Sequence, residues 1–345
     1  MNLPNSSGIS IPRYLLAGQL RRDYAILPSG QPLIDVPGGN LLYAAAGLGV
    51  WEPDQCAGLV ARVNRKYPQE WVDECARRGF DTRGIRCLPE EIELRAFYAY
   101  TSPTTRVTDN PVAHFSRVNL PFPKSLLDYR PSPASQDSRT RLSPTSLRQG
   151  DIPGDYLDAI AAHICPIDYL THSLLPAVLR QRGFTAVTLD PSAGYMNPVY
   201  WDDLPALIIG LTAFLPSEEE VRALFQGRSS DLRQMAESLA AYGCDFVVIK
   251  RGEGGQLLYD SSRRAFWEVP AYPARLVDPT GAGDAFCGGF LAGYRQTYDP
   301  LEATLRGNIS ASLTIEGSGA FFALDALPGL AQARLDALRE SARRL

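Results

Sequence analysis

Residues 278–286 read DPTGAGDAF, small residues and two aspartates ahead of an apolar run. Phe286, Phe290 and Tyr294 recur at a spacing of four, so they share one face of a helix that starts around Gly283 or Asp284. Gly288, Gly289 and Gly293 let a neighbouring element come close to it. The backbone N–H groups of Gly281, Ala282 and Gly283 precede the first turn, lack intrahelical partners and can converge on an anion with help from the helix dipole. Asp284 would repel a merely bound anion, but it is well placed to act as a base. Taken alone, a GAGD string also reads as a glycine turn with an aspartate cap.

Other residues carry paired readings. Asp23 is a turn former or a carboxylate that accepts hydrogen bonds from two neighbouring hydroxyls. Gly38 and Gly39 make a turn or let a polyol approach the backbone. Lys250, at a strand end beside GEGG, is a solvated charge or a phosphate partner. Glu220 lies in an acidic first helical turn, which the helix dipole already favours, and Asn308 can make a helix-start hydrogen bond. His114, His163 and His172 show no metal-ligand spacing.

The elements that hold these residues follow from the hydrophobic pattern. FTAVTLD (184–190), ALIIGLT (206–212) and DFVVIK (245–250) are near-continuous apolar runs, expected as parallel strands buried on both faces. Between them Ser217 opens SEEEVRALF with a polar cap, an acidic first turn, and Val221, Leu224 and Phe225 at helical spacing. This alternation is that of βαβ units. YLLAGQL starts an early strand, LLYAAAGLGV reads as a helix, and EIELRAFYAYTS (91–102) alternates like an open sheet that could form a lid. Residues 121–150, rich in Pro, Ser and Arg, are expected as an irregular or mobile insertion.

With 345 residues, 45% hydrophobic and 21% charged, the chain has an ordinary globular make-up, and its net charge of −4 gives no reason to expect a nucleic acid partner. No apolar run is long enough for a membrane span, and the N-terminal stretch lacks the order of a secretory signal, so a cytoplasmic location is expected. Six scattered cysteines (Cys56, Cys75, Cys87, Cys165, Cys244 and Cys287) form no C-x-x-C pair and read as small core residues. There is neither a Walker A sequence nor an early G-x-G-x-x-G, which counts against a P-loop and a Rossmann dehydrogenase.

DPTGAGDAF closely resembles the C-terminal signature of the ribokinase-like, or PfkB, carbohydrate kinases. The resemblance extends in order over most of the chain: GQLRRD (18–23), PGGNLLYAAAGLG (37–49), LDP (189–191), LPSEEEV (215–221), VIKRGEGGQLLYD (248–260) and GNISASLTIEGSGA (307–320). It implies one large doubly wound α/β domain over 1–345, a mostly parallel sheet flanked by helices. A small β-lid would be drawn from about 18–37 and 91–120. It further implies an ATP- and Mg²⁺-dependent kinase of a sugar or sugar-like hydroxyl. Asp284 would be the base, and Gly281, Ala282 and Gly283 the anion hole. Asp23, Gly38, Gly39, Asn40 and Tyr43 would lie at the substrate. Lys250, Gly252, Gly255, Asn308 and Ser217 would lie at the nucleotide, and Glu220 at the metal. A monovalent cation such as K⁺, shaped by Asp278 and Thr280, and a homodimer also occur in the family.

Three features depart from the pattern. Ser217 stands where the P-N-x-x-E element has asparagine, Tyr43 stands where the first signature has asparagine, and the 121–150 segment has no counterpart. Tyr43 suits a nucleoside kinase if its ring stacks on a base. Ser217 and the altered first signature motivate a non-catalytic sugar- or nucleotide-binding protein as the further alternative.

Overall fold

Tyr14, Leu15, Leu16 and Ala17 form strand β1 and are all buried. Leu15 and Ala17 enter the apolar layer on one side, Tyr14 and Leu16 the layer on the other. A strand covered on both faces needs apolar residues at every position, which is why this run does not alternate. The computed structural model describes residues 11–54, 57–130 and 137–345. Cys56, part of the 121–150 segment and the first residues of the N-terminal stretch lie outside these.

The remaining strands are β2 (Arg21–Ile26), β3 (Pro32–Gly38), β4 (Ala57–Asn64), β5 (Asp81–Leu88), β6 (Arg95–Tyr100), β7 (Arg106–Val107), β8 (Ala161–Ile164), β9 (Ala186–Leu189), β10 (Ala213–Phe214), β11 (Phe246–Lys250), β12 (Gln256–Asp260), β13 (Ala265–Val269) and β14 (Arg343–Arg344). The large sheet runs β14-β13-β12-β11-β10-β9-β8-β1-β4-β5. It is parallel from β11 to β5, and β12, β13 and β14 join antiparallel. Helices Tyr169–Gln181, Glu218–Leu224 and Leu232–Ala240 cover one face, and Asn40–Gly49, Gln69–Arg77 and Ala282–Thr297 the other. This is the doubly wound arrangement expected. β1 lies between β4 and β8, so the connections leave it in both directions and open a crevice at the carboxyl ends of the strands.

Phe286, Phe290 and Tyr294 pack against Ala213, Leu215, Phe246 and Val248 as one face. A β-carbon on Gly288 would sit 1.9 Å from the carbonyl oxygen of Ala44, so the close crossing of the Asn40 and Ala282 helices depends on glycine.

ALIIGLT is corrected: it closes the short helix Leu204–Ile208, and the strand follows at Ala213–Phe214. A short apolar run bears no period that separates a buried helix turn from a buried strand. Of the cysteines expected in the core, Cys75, Cys165, Cys244 and Cys287 are buried, but Cys87 is exposed because it lies on the edge strand β5.

The second sheet, β3-β2-β6-β7, draws its strands from the segments expected to form a lid. Tyr24, Ile26, Phe97 and Ala99 on its outer face are covered by Phe115, Leu126 and their neighbours Val118, Leu120, Phe122 and Tyr129. The described parts of the 121–150 segment, 121–130 and 137–150, are thus irregular but anchored, with Leu126 and Leu147 buried. Its composition suggests mobility, but a few apolar side chains suffice to pin a proline-rich path. Among the described residues no helix is long and apolar enough to cross a membrane.

Candidate active site

Gly281 caps the helix Ala282–Thr297 at φ +74°, in the left-handed region. A β-carbon there would fall 2.0 Å from Cγ of Tyr43, so backbone and ring both demand glycine. Asp278 braces the turn by accepting the Thr280 N–H at 3.0 Å. Among the described residues the N–H groups of Gly281, Gly283 and Asp284 have no acceptor, while that of Ala282 donates to the Pro279 carbonyl at 3.4 Å. The free donors therefore include Asp284 in place of Ala282. The helix begins earlier than the spacing indicated, which leaves Asp284 among the orphan N–H groups of its first turn.

Two cavities meet at this turn. Ala282 and Gly283 line one of about 680 Å³, and Gly281 and Asp284 line the other, of about 510 Å³. Glu220 lines both. Burial pushes the Asp284 carboxyl up to about 6; Lys250 and Arg106 oppose the rise, and Glu220 and Asp23 add to it.

The smaller cavity gathers the residues expected at the substrate. Asp23, on β2, is buried and accepts the Tyr98 hydroxyl at 2.9 Å. Burial raises it to about 6 against the pull of Tyr98, Arg21 and Arg106. Gly38 stays outside the lining and makes room, since a β-carbon there would overlap the Asp23 carboxylate at 1.9 Å. Gly39, Asn40 and Tyr43 do line it. The Asn40 carboxamide clamps two loops, accepting from the Gln19 N–H at 2.8 Å and donating to the Pro166 carbonyl at 2.6 Å. Phe97, Tyr98, Tyr129 and Arg106 complete the wall. The Arg106 side chain makes no hydrogen bond or ion pair among the described residues; its guanidinium lies 5.7 Å from the Tyr98 ring centre. The Tyr100 hydroxyl meets Thr280 Oγ1 at 2.9 Å, so the small sheet touches the glycine turn.

The larger cavity holds Lys250, Ser217, Gly252 and Asn308. Lys250, at the end of β11, pairs with Asp190, just beyond β9, at 2.5 Å. Burial alone would lower the ammonium, but the charges of Asp190, Cys287 and Glu220 carry it above the usual lysine range. Asp190 is itself raised by burial to about 6, and Glu220 to about 7. Ser217 caps the helix Glu218–Leu224. Its N–H and hydroxyl donate to Glu220 Oε2 at 2.8 and 2.7 Å, and its oxygen accepts the Glu220 N–H at 3.2 Å. The serine that departs from the family pattern is thus spent on positioning Glu220.

Gly255 lies behind the wall, where a β-carbon would meet the Val269 carbonyl at 2.0 Å. Asn308 also acts as a brace. Its oxygen accepts from the Tyr272 N–H at 3.0 Å, and its nitrogen donates to Gln256 at 2.7 Å and to the Pro270 carbonyl at 2.9 Å. Sequence reasoning singles out LDP without giving Asp190 a role, and it misses Gln256, Tyr98, Tyr100 and Arg106, which bear no local motif. His163 and His172 are core residues, bonded to Thr188 and Tyr195.

A carboxylate and free amides between two cavities, at the strand ends of a doubly wound sheet, define the site of a group-transfer enzyme. Residues 161–327 match the pfkB family carbohydrate kinase model. The chain is 30% identical over 302 residues to a cytidine kinase of Thermococcus kodakarensis, covering 85% of this chain and 91% of that one. Its fold is similar to a nucleoside kinase of Burkholderia thailandensis solved with inosine (TM-score 0.65, 18% identity, 94% and 98% coverage). It is also similar to a fructokinase of Vibrio cholerae solved with fructose, ADP and calcium (TM-score 0.65, 18% identity, 95% and 99% coverage). The chain belongs to the PfkB family of carbohydrate kinases and is a phosphotransferase acting on a hydroxyl of a sugar or nucleoside.

Proposed function

We propose that ATP occupies the larger cavity, that the accepting alcohol occupies the smaller one, and that Asp284 removes the alcohol proton as phosphoryl transfer proceeds. The observation that carries this is the glycine turn: its residues form the partition between the cavities, with free N–H groups and one carboxylate. The alcohol oxygen attacks the γ-phosphorus, the bond to the β–γ bridging oxygen breaks, ADP leaves, and the proton passes to Asp284. The Gly281, Gly283 and Asp284 amides face the charge that spreads over the transferred group. A carboxyl raised to about 6 is suited to general-base work near neutral pH.

Asp23 orients the substrate by accepting hydroxyl hydrogen bonds while Tyr98 holds it. The small sheet acts as a lid, excluding water that would compete for the phosphoryl group. Glu220 fits a Mg²⁺ ion held through water, because Ser217 bonds only one of its carboxylate oxygens and it lines both cavities. The ion would supply charge neutralisation on the nucleotide. Asp278, 2% exposed and without an ion-pair partner among the described residues, fits a monovalent cation such as K⁺ beside Thr280. The outer face of the small sheet is covered by the chain itself, so a homodimer would use another surface. A cytoplasmic location, where ATP is at hand, accords with this reading.

A specific observation favours a nucleoside as the acceptor. Tyr43 and Tyr98 give the smaller cavity an aromatic surface on which a base can stack, and a relative aligned over 85% of the chain is a cytidine kinase. ATP turnover should be measured over nucleosides, neutral sugars, sugar acids and sugar phosphates, with Asp284→Asn alongside. Turnover on nucleosides that is lost in the variant supports the reading. Turnover on sugars alone returns it to a sugar kinase, and nucleotide binding with no turnover points to a binding protein.

A further inference from the structure

The wall of the larger cavity contains a buried polar chain whose orientation is determined from one end. The Tyr272 backbone N–H is only a donor, so the Asn308 atom that faces it must be the oxygen. The Asn308 nitrogen is therefore on the other side, where it donates to the Pro270 carbonyl, an obligate acceptor, and to Gln256. That settles the second carboxamide: the Gln256 oxygen faces Asn308 and its NH₂ group is left over. Gln256 is 7% exposed and lines the cavity, and its nitrogen is not among the buried side-chain atoms that lack a partner. Asn308 and Gln256 are both buried, so reversing either amide would set like atoms against each other without water to compensate.

We propose that the Gln256 NH₂ group, held donor-outward by Asn308, contacts the base of the phosphate donor. It meets an acceptor on the base edge and so admits guanine as well as adenine. This rests on the reading that the larger cavity takes the nucleotide. An outward-facing oxygen would instead favour the adenine amino group and oppose the guanine carbonyl. Both purines offer acceptors to an NH₂ donor, so the contact supplies affinity without choosing between them. Asn308 is the positioning residue and Gln256 the contact.

The test is binding of ADP and GDP with Mg²⁺ to the full-length chain by calorimetry, which needs no knowledge of the acceptor substrate. The wild-type protein should bind the two within about tenfold of one another. Gln256→Glu keeps an oxygen toward Asn308 and replaces the outward donor by an acceptor. It should weaken GDP more than ADP, opening a preference for ADP of about tenfold or more, and Gln256→Met should weaken both by about three- to tenfold, the loss of one hydrogen bond. Melting curves establish that each variant is folded, and Gln256→Met keeps the question open to measurement if Gln256→Glu is not. A wild-type preference for ADP of a hundredfold, or variants that bind both nucleotides as the wild type does, would overturn the role of Gln256 while leaving the nucleotide site standing. If the wild type binds neither nucleotide, the assignment of the cavity fails and this inference fails with it.

Discussion

Asp284→Asn should destroy activity and stabilise the fold, and both effects come from the same burial. Raising this carboxyl from its ordinary 3.8 to about 6 costs the ionised form about 3 kcal/mol at 1.36 kcal/mol per pH unit. The cavity lets solvent reach the group, so about 1–2 kcal/mol is the realistic share. Unfolding entropy of about 2.1 cal/mol/K per residue, over 345 residues, converts this to a rise in Tm of about 1.5–3 °C. The sign follows from linkage. A carboxyl whose folded pKa is raised contributes its stability at low pH and loses it as pH climbs toward 6. The advantage of the asparagine variant should therefore be smallest near pH 4, grow through pH 4–6 and level off above pH 7. Loss of the base should lower kcat by about 10²–10⁴-fold. Melting temperatures from pH 4 to pH 8, set beside ATP turnover, test both halves. Full turnover in the variant would remove Asp284 from the chemistry, and a variant less stable than wild type at pH 8 would refute the argument that its charge is held at a cost.

Further consequences are as direct. Gly281→Ala places a β-carbon against the Tyr43 ring at a left-handed φ; it should cost at least about 1–2 kcal/mol, read as a lower Tm, and should lower kcat because the turn must move. Tyr98→Phe strips the buried Asp23 carboxylate of its hydroxyl donor. KM for the acceptor should rise about three- to tenfold with little change in KM for ATP, and an unchanged acceptor KM would show that Asp23 does not hold the substrate. Lys250→Met leaves Asp190 buried without its partner and should destabilise by about 3–5 kcal/mol, measured by denaturant unfolding. In wild-type enzyme kcat/KM should fall on acidification below about pH 6 as Asp284 gains its proton; a flat profile down to pH 5 would contradict a base with that pKa.

Local sequence determined those features whose physics is local. A glycine at the N-terminus of a helix, followed by small residues and an aspartate, leaves orphan N–H groups next to a carboxylate wherever the helix is placed, so the turn at 281–284 is legible from its residues alone. So is the capping pair Ser217 and Glu220, three residues apart on one helix end. The buried strands β1, β9 and β11 are legible as unbroken apolar runs, whereas 206–212 reads wrongly as a strand because a short apolar stretch carries no period.

Tertiary structure alone decided how these pieces face one another. Asn308 and Gln256 are 52 positions apart and Asp190 and Lys250 are 60 apart, and no spacing rule connects such pairs. The partition of the crevice into two cavities, the reach of Tyr98 and Tyr100 across from the small sheet, and the raised carboxyls of Asp23, Asp190, Glu220 and Asp284 arise when distant segments remove water from common ground. Desolvation and pairing depend on what surrounds a group in space, and the chain order of its neighbours does not record that.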